Sequence, residues 1–382
     1  MSKKPVMVVC GTRPEIIKMA PVYRALQASE TLAPVLVHTG QHTDLAFPLY
    51  DFFGMERAED LVLERQKPTL AHLSQLLLGS VSEAIVRQRP AAVLVHGDTT
   101  SASMAALAAF YEQIPVGHVE AGLRTGDKYS PFPEELNRSL IGRIADWHFA
   151  PTRAAQEALA REGIVKDVLV TGNTVIDAAQ LTAARQAQGA VAEFVRENSL
   201  ATRCAGKRLV LVTAHRRENW GEGLVNIANA VADLLAENED LLVVWPLHAN
   251  PAVAQVVREV LGRRQCDDAR TVLCPPLEYD ALIWLLSHAW ATLTDSGGIQ
   301  EEAAAFGTPV FVLRESTERP ELIEAGGGVL VGAVRERITA EFSRVARSPG
   351  EWEGMRHIVN PFGDGRAGAR IAEFLAARLA DA

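Results

Sequence analysis

Clustered cysteines, blocks of basic residues and long apolar runs are all missing from this 382-residue chain, and each absence removes a class of function. The four cysteines, Cys10, Cys204, Cys266 and Cys274, lie far apart and form no Cys-x-x-Cys pair. That fits neither a zinc site nor a disulfide scaffold, and reads as reduced, mostly buried thiols. A formal net charge of −9 with no lysine or arginine block argues against a nucleic-acid surface, so any bound anion must be held by local geometry. No window supplies the ~18 apolar residues of a membrane span. Met1-Ser2-Lys3-Lys4-Pro5 runs straight into a β-like stretch too brief for a signal sequence, and the expected location is cytoplasmic. Tandem repeats and low-complexity tracts are lacking as well. What remains, 48% hydrophobic and 22% charged, is the composition of a globular protein, long enough for two domains.

Short apolar runs recur along the first half at Val6–Cys10, Val35–Thr39, Ala92–His96, Val116–Val119, His148–Ala150 and Val168–Val170. The second half repeats them at Leu209–Thr213, Leu241–Pro246, Thr271–Cys274, Ala291–Thr294, Pro309–Leu313 and Val329–Val331. Helical stretches such as Leu70–Arg87 and Ser101–Tyr111 lie between. Strands alternating with helices predict βαβ units and parallel sheets, here in two doubly wound sets. The expected domains are residues 1–172 and 173–365, with a final helix at 366–382 packing back on the first.

Polar clusters follow the strand ends, where doubly wound sheets bind their ligands. The most informative is Asp295-Ser296-Gly297-Gly298, which leads from an apolar strand into a helix and forms a ready phosphate cradle of backbone N–H groups. Glu301 and Glu302 follow within a turn, as helix caps or as partners of ribose hydroxyls. Asp98 and Glu120 each end a strand, where a charge needs a partner; capping of the next helix is the plain alternative for Asp98. Glu134 and Glu135 open a helix after Pro133, and Arg138 stands four residues beyond Glu134, an ordinary ion pair or a substrate contact. His215, beside Arg216 and Arg217, suits an anionic ligand. Arg13 and Lys18 flank the first helix start and would serve the same anion. Arg319 is either a third cation or part of a solvated charge cluster. The site is expected in a cleft between the two domains.

Two apparent motifs are set aside. Gly363, Gly365 and Gly368 spell Gly-x-Gly-x-x-Gly but follow Asn-Pro-Phe rather than a strand, so no nicotinamide cofactor is expected. His38 and His42 bracket a strand-end turn and do not form a metal pair.

Taken in order, these segments resemble the non-hydrolysing UDP-N-acetylglucosamine 2-epimerases of bacterial cell-surface polysaccharide synthesis. The resemblance runs from Gly11-Thr12-Arg13-Pro14-Glu15, through His96-Gly97-Asp98-Thr99-Thr100, His118-Val119-Glu120-Ala121-Gly122-Leu123-Arg124-Thr125, Pro133-Glu134-Glu135 and Thr171-Gly172-Asn173-Thr174. It continues through His215-Arg216-Arg217-Glu218, Asp295 to Glu302 and Glu318-Arg319-Pro320-Glu321, to Asn360-Pro361-Phe362-Gly363-Asp364-Gly365.

The resemblance implies two Rossmann-like domains of the glycosyltransferase-B type, a cytoplasmic homodimer, and reversible conversion of UDP-GlcNAc to UDP-ManNAc without metal or other cofactor. By position it puts acid/base roles on Asp98, Glu120 and Glu134, with His215 beside the diphosphate. Substrate contacts fall on Arg13, Lys18, Arg138, Leu277, Leu282, Ser296, Gly297, Gly298, Glu302 and Arg319. Leu282 stands where relatives often stack an aromatic ring on the base. Asp44 and Pro68 replace glutamines that some relatives use for a second, activating substrate molecule. Rival expectations are a glycosyltransferase of the same architecture, which would need an acceptor pocket, an idle nucleotide-sugar sensor, and an epimerase of a more decorated UDP-aminosugar.

Overall fold

A computed structural model describes residues 2–42, 46–189 and 192–380; Asp44 and the last two residues expected in the terminal helix lie outside them. The chain forms two compact units, residues 1–178 with 363–382, and residues 179–362.

Unit 1 is built on seven parallel strands: β1 (Lys4–Cys10), β2 (Leu32–His38), β3 (Arg57–Asp60), β4 (Ala92–His96), β5 (Val116–Val119), β6 (Trp147–Ala150) and β7 (Val168–Val170), in the order β3-β2-β1-β4-β5-β6-β7. Unit 2 holds six: β8 (Arg208–Thr213), β9 (Leu241–Pro246), β10 (Thr271–Cys274), β11 (Ala291–Thr294), β12 (Val310–Val312) and β13 (Gly328–Leu330), in the order β10-β9-β8-β11-β12-β13. Both orders reverse once, at β1/β4 and at β8/β11, and those reversals open the crevices where such sheets take ligands. The two doubly wound α/β units expected from the alternating pattern are therefore present. The central strands read as unbroken apolar runs because helices cover both faces. β3 escaped the sequence reading: Arg-Ala-Glu-Asp at a sheet edge is only half-buried and has no apolar run.

In unit 1, Met7, Val9, Val93, Val95 and Val116 pack against the alanine-rich helix Thr100–Tyr111. Ala102, Ala105, Ala106, Ala108 and Ala109 are all buried, and their small side chains bring this helix close to Leu70–Gln88 and Glu134–Ile144. Unit 2 has its own core, with Trp245, Phe311 and Phe342 among its largest members.

The helix Ala367–Ala380 lies against Arg13–Ala28 within unit 1. Its glycine motif has packing work: a Cβ on Gly368 would stand 2.8 Å from the Pro21 backbone, and one on Gly363, at φ +129°, 3.1 Å from Gly172 Cα. Gly368 N also donates to Asp177 Oδ1 at 2.8 Å. In an open helix, Gly→Ala stabilises by about 1 kcal/mol. Gly368→Ala is expected to have the opposite sign, costing about 1–3 kcal/mol through overpacking against Pro21. Urea unfolding checks this; an unchanged or raised midpoint contradicts the packing role.

Candidate active-site clusters

The switch point of unit 1 is organised by a carboxylate. Glu15, fully buried in the first turn of Arg13–Ala28, accepts from Gly11 N (2.8 Å), Thr12 N (2.8 Å) and Thr12 Oγ1 (2.9 Å) through Oε2. Its Oε1 accepts from Thr99 Oγ1 at 2.6 Å. One carboxylate thus ties the turn after β1 to the turn after β4. Arg13 stands half-buried at the first position of the same helix.

Asp98 follows Gly97, which adopts the left-handed backbone (φ +65°) that glycine alone enters without cost. Helix capping is done by Thr99, whose side chain accepts from Ala102 N, so Asp98 is released from that task. Its carboxylate pairs instead with Arg138 Nη2, while Asn137 Nδ2 donates to its carbonyl at 2.9 Å. Arg138 reaches back to Glu135 Oε2 at 3.2 Å rather than making an i,i+4 pair with Glu134 as its main contact. Glu135 in turn accepts from Thr125 N and Gly126 N, both at 3.1 Å. Burial pushes the Asp98 carboxyl up, Arg138 pulls it down, and Glu120 and Glu134 raise it, so both neighbouring acids are felt at Asp98.

Glu120 is itself in the left-handed region (φ +65°), a strained conformation for a non-glycine residue that needs support from its surroundings. Lys18 forms an ion pair with its Oε1, Asn173 Nδ2 donates to the same oxygen at 3.1 Å, and His96 Nε2 lies 3.7 Å from Oε2. Burial pulls the His96 imidazole down to about 4. Glu120 therefore has a cation, Lys18, and a neutral imidazole, His96, beside its carboxylate. The structure brings Lys18, Asp98, Glu120, Glu134 and Arg138 into one cluster.

In unit 2 the equivalent organiser is Asp295, which is completely buried. It accepts from His215 N (2.9 Å), Arg216 N (2.8 Å) and Asn219 Nδ2 (2.9 Å), joining the turns after β8 and β11. His215 Nδ1 lies 3.1 Å from Asp295 Oδ1, which fixes the ring and leaves Nε2 for a ligand. Burial lowers the His215 pKa, with Asp295 opposing.

Ser296 caps the helix Gly297–Ala304. Neither Gly297 nor Gly298 has a positive φ, and a Cβ on either would meet no protein atom closer than 4.0 Å. The fold does not need these glycines, and their lack of side chains leaves the backbone N–H groups at this helix start open to close approach. Beside them is a cavity of about 320 Å³ with His215, Leu277, Leu282 and Ile299 in its wall, mostly apolar and within the range of ligand pockets. Glu302 is buried on the same helix, and its neighbour Glu301 pairs with Arg319. Arg319 is thus a fixed guanidinium rather than one charge in a solvated group.

With this geometry in view, the UDP-N-acetylglucosamine 2-epimerase family model matches residues 24–376. The chain belongs to that family. It is 43% identical over 376 residues to the UDP-N-acetylglucosamine 2-epimerase of Bacillus subtilis, covering 98% of this chain and 96% of the relative. It is 42% identical over 371 residues to that of Salmonella typhimurium, covering 97% and 98%. The crystal structure of the Neisseria meningitidis UDP-GlcNAc 2-epimerase bound to UDP-GlcNAc is similar at a TM-score of 0.84 and 38% identity, covering 98% of this chain and all of that one. The family is one of non-hydrolysing isomerases with the doubled parallel-sheet architecture seen here.

Several residues in these clusters were not singled out from the sequence. His96, Asn173 and His248, the last in the wall of the unit 2 cavity, all follow or end strands, and the strand-tip rule reaches them when it is applied to neutral side chains as well as charged ones. Glu15 hid as a helix-start acid because its second oxygen bonds 84 residues away.

The Asp98 environment yields a direct test. A ¹³C-carboxyl NMR titration is expected to place its midpoint above the ordinary ~3.9, and Arg138→Met, which removes the one lowering charge, should raise it further. A midpoint at or below that ordinary value contradicts the buried acid cluster.

Proposed function

We propose that this chain interconverts UDP-GlcNAc and UDP-ManNAc by elimination and re-addition, with Asp98, Glu120 and Glu134 handling protons. The supporting observation is the cluster of Asp98, Glu120 and Glu134, in which Arg138 pairs with Asp98 and Lys18 with Glu120.

The C2 proton of a glycosyl nucleotide has no adjacent carbonyl, so abstraction alone would leave an unstabilised carbanion. Elimination avoids it. A carboxylate takes the C2 proton as the C1–O bond to UDP breaks, its electron pair leaving with the diphosphate, and a C1=C2 double bond forms in 2-acetamidoglucal. A proton then returns to C2 on the opposite face and a diphosphate oxygen re-forms the bond to C1. No redox partner is consumed. Inversion needs proton-handling groups for both faces, which more than one carboxylate can supply. It also needs the departing diphosphate stabilised and kept. His215, Arg319 and the N–H groups of Gly297 and Gly298 are the groups for that task; Ser296 N already donates to Thr294 Oγ1 at 3.0 Å, which leaves that residue its hydroxyl. Leu277 and Leu282 suit the uracil, and Glu302 the ribose hydroxyls; Arg13 adds a further cation.

Reduced, unpaired cysteines fit a cytoplasmic enzyme supplying polysaccharide synthesis. A homodimer is part of the proposal: Phe110 and Tyr111 on one helix and Leu136 and Leu140 on its neighbour are exposed, more apolar surface than an isolated unit needs to show. Sedimentation analysis should find a dimer and should find a monomer for the Leu136→Glu/Leu140→Glu double variant. A monomeric native protein removes the dimer.

For the activity, incubation with UDP-GlcNAc in D2O followed by NMR should give UDP-ManNAc with deuterium at C2. Asp98→Asn should bind UDP yet lose at least about 100-fold in turnover, the usual scale for a general acid or base. Gly298→Ala should keep its unfolding midpoint while UDP affinity falls roughly tenfold or more from loss of close backbone approach. Transfer of the sugar to an added acceptor, or an inert sugar, rejects the epimerase.

A further inference from the structure

The sheet of unit 1 holds a row of buried histidines that the proton chemistry leaves unused. His96, His118 and His148 end or interrupt three successive strands, β4, β5 and β6, and His118 faces His148 directly in the β5–β6 register. All three are buried. His118 has no exposure, and its Nε2 lies 2.7 Å from the carbonyl of Gly97. A carbonyl can only accept, so Nε2 carries the proton and the ring is the neutral Nε2–H tautomer. Its Nδ1 has no hydrogen-bond partner among the described residues. Burial pulls the imidazole down to about 3, with the Gly97 bond opposing and His148, His96 and Arg124 reinforcing the drop, so the tautomer persists across the physiological range.

Gly97 is thereby held from both sides. Its N–H donates to Val119 O at 2.9 Å, the residue before Glu120, and its C=O accepts from His118, the residue before that. Gly97 precedes Asp98, and its left-handed conformation sets the direction in which the chain leaves β4. A Cβ at Gly97 would sit 3.5 Å from Glu120 Oε2, which shows how closely the two turns approach. Two hydrogen bonds across one glycine therefore fix the turn that carries Asp98 against the turn that carries Glu120.

We infer that His118 is a positioning residue: by donating to the Gly97 carbonyl it sets the placement of Asp98 relative to Glu120 without touching substrate. The inference deepens the epimerase reading and rests on it. An apolar side chain would fill the same space but leave the carbonyl with no donor and the turn free to rotate. Glutamine carries an N–H at similar reach.

The test compares UDP-GlcNAc turnover by the wild type, His118→Leu and His118→Gln, with unfolding midpoints measured alongside. His118→Leu should lose about 100-fold in kcat, the scale expected when a reacting group is displaced by about 1 Å, while KM stays within about threefold. His118→Gln should recover to within roughly tenfold of wild type. ¹⁵N NMR of the native enzyme should show His118 as the neutral Nε2–H tautomer from pH 5.5 to 8, and this arm holds even where a variant does not fold. A native enzyme inert toward UDP-GlcNAc overturns the epimerase reading and this one together. An active native enzyme overturns the positioning role alone if folded His118→Leu keeps its kcat, if folded Gln is as impaired as Leu, or if the ring proton sits on Nδ1.

Discussion

A carboxylate buried at the carboxyl edge of a parallel sheet has to be met by donors, because an uncompensated charge there would cost several kcal/mol. Both units use this requirement as a fastening. Glu15 collects Gly11, Thr12 and Thr99; Asp295 collects His215, Arg216 and Asn219. In each case the carboxylate and its donors together span the two turns flanking the switch in strand order, so satisfying one charge determines how two loops stand. The catalytic groups proposed here, Asp98 on one side of Glu15 and His215 on one side of Asp295, inherit their positions from these ties.

The same logic separates the acids that organise from those available for chemistry. Glu15 is saturated with hydrogen bonds from neutral groups, and its role ends with the fold. Asp98 and Glu120 are instead paired with the long, flexible cations Arg138 and Lys18, so in the proposed reaction they are the acids available to a substrate.

Strands buried on both faces were legible because helical cover forces an unbroken apolar run, as at β4 and β11. β3 was not, since an edge strand half in solvent has no such constraint. The acids of the site were visible as charges at strand ends. Their partners were less so. Arg138 offered Glu134 as an ion-pair companion one turn away, and only the path of β4 brought Asp98 to it. Whether Asp98 capped the next helix depended on which of two adjacent side chains turned inward, and Thr99 took that place. Gly363, Gly365 and Gly368 could be dismissed as a nucleotide motif from context, but their contacts with Gly172 and Pro21 lie far away in the chain. His118 looked like an interior residue of an apolar strand; its significance comes from a carbonyl 21 positions earlier.

Unit 1 is assembled from both ends of the polypeptide, with residues 363–380 supplying a helix that lies on Arg13–Ala28. During synthesis the whole of residues 179–362 leaves the ribosome before that helix exists. The later-made unit can therefore acquire its full core first, while the earlier-made one waits with the Pro21 surface uncovered. Vectorial translation thus reverses the order of completion, and until Gly368 arrives the face of Arg13–Ala28 around Pro21 stays open to chaperones.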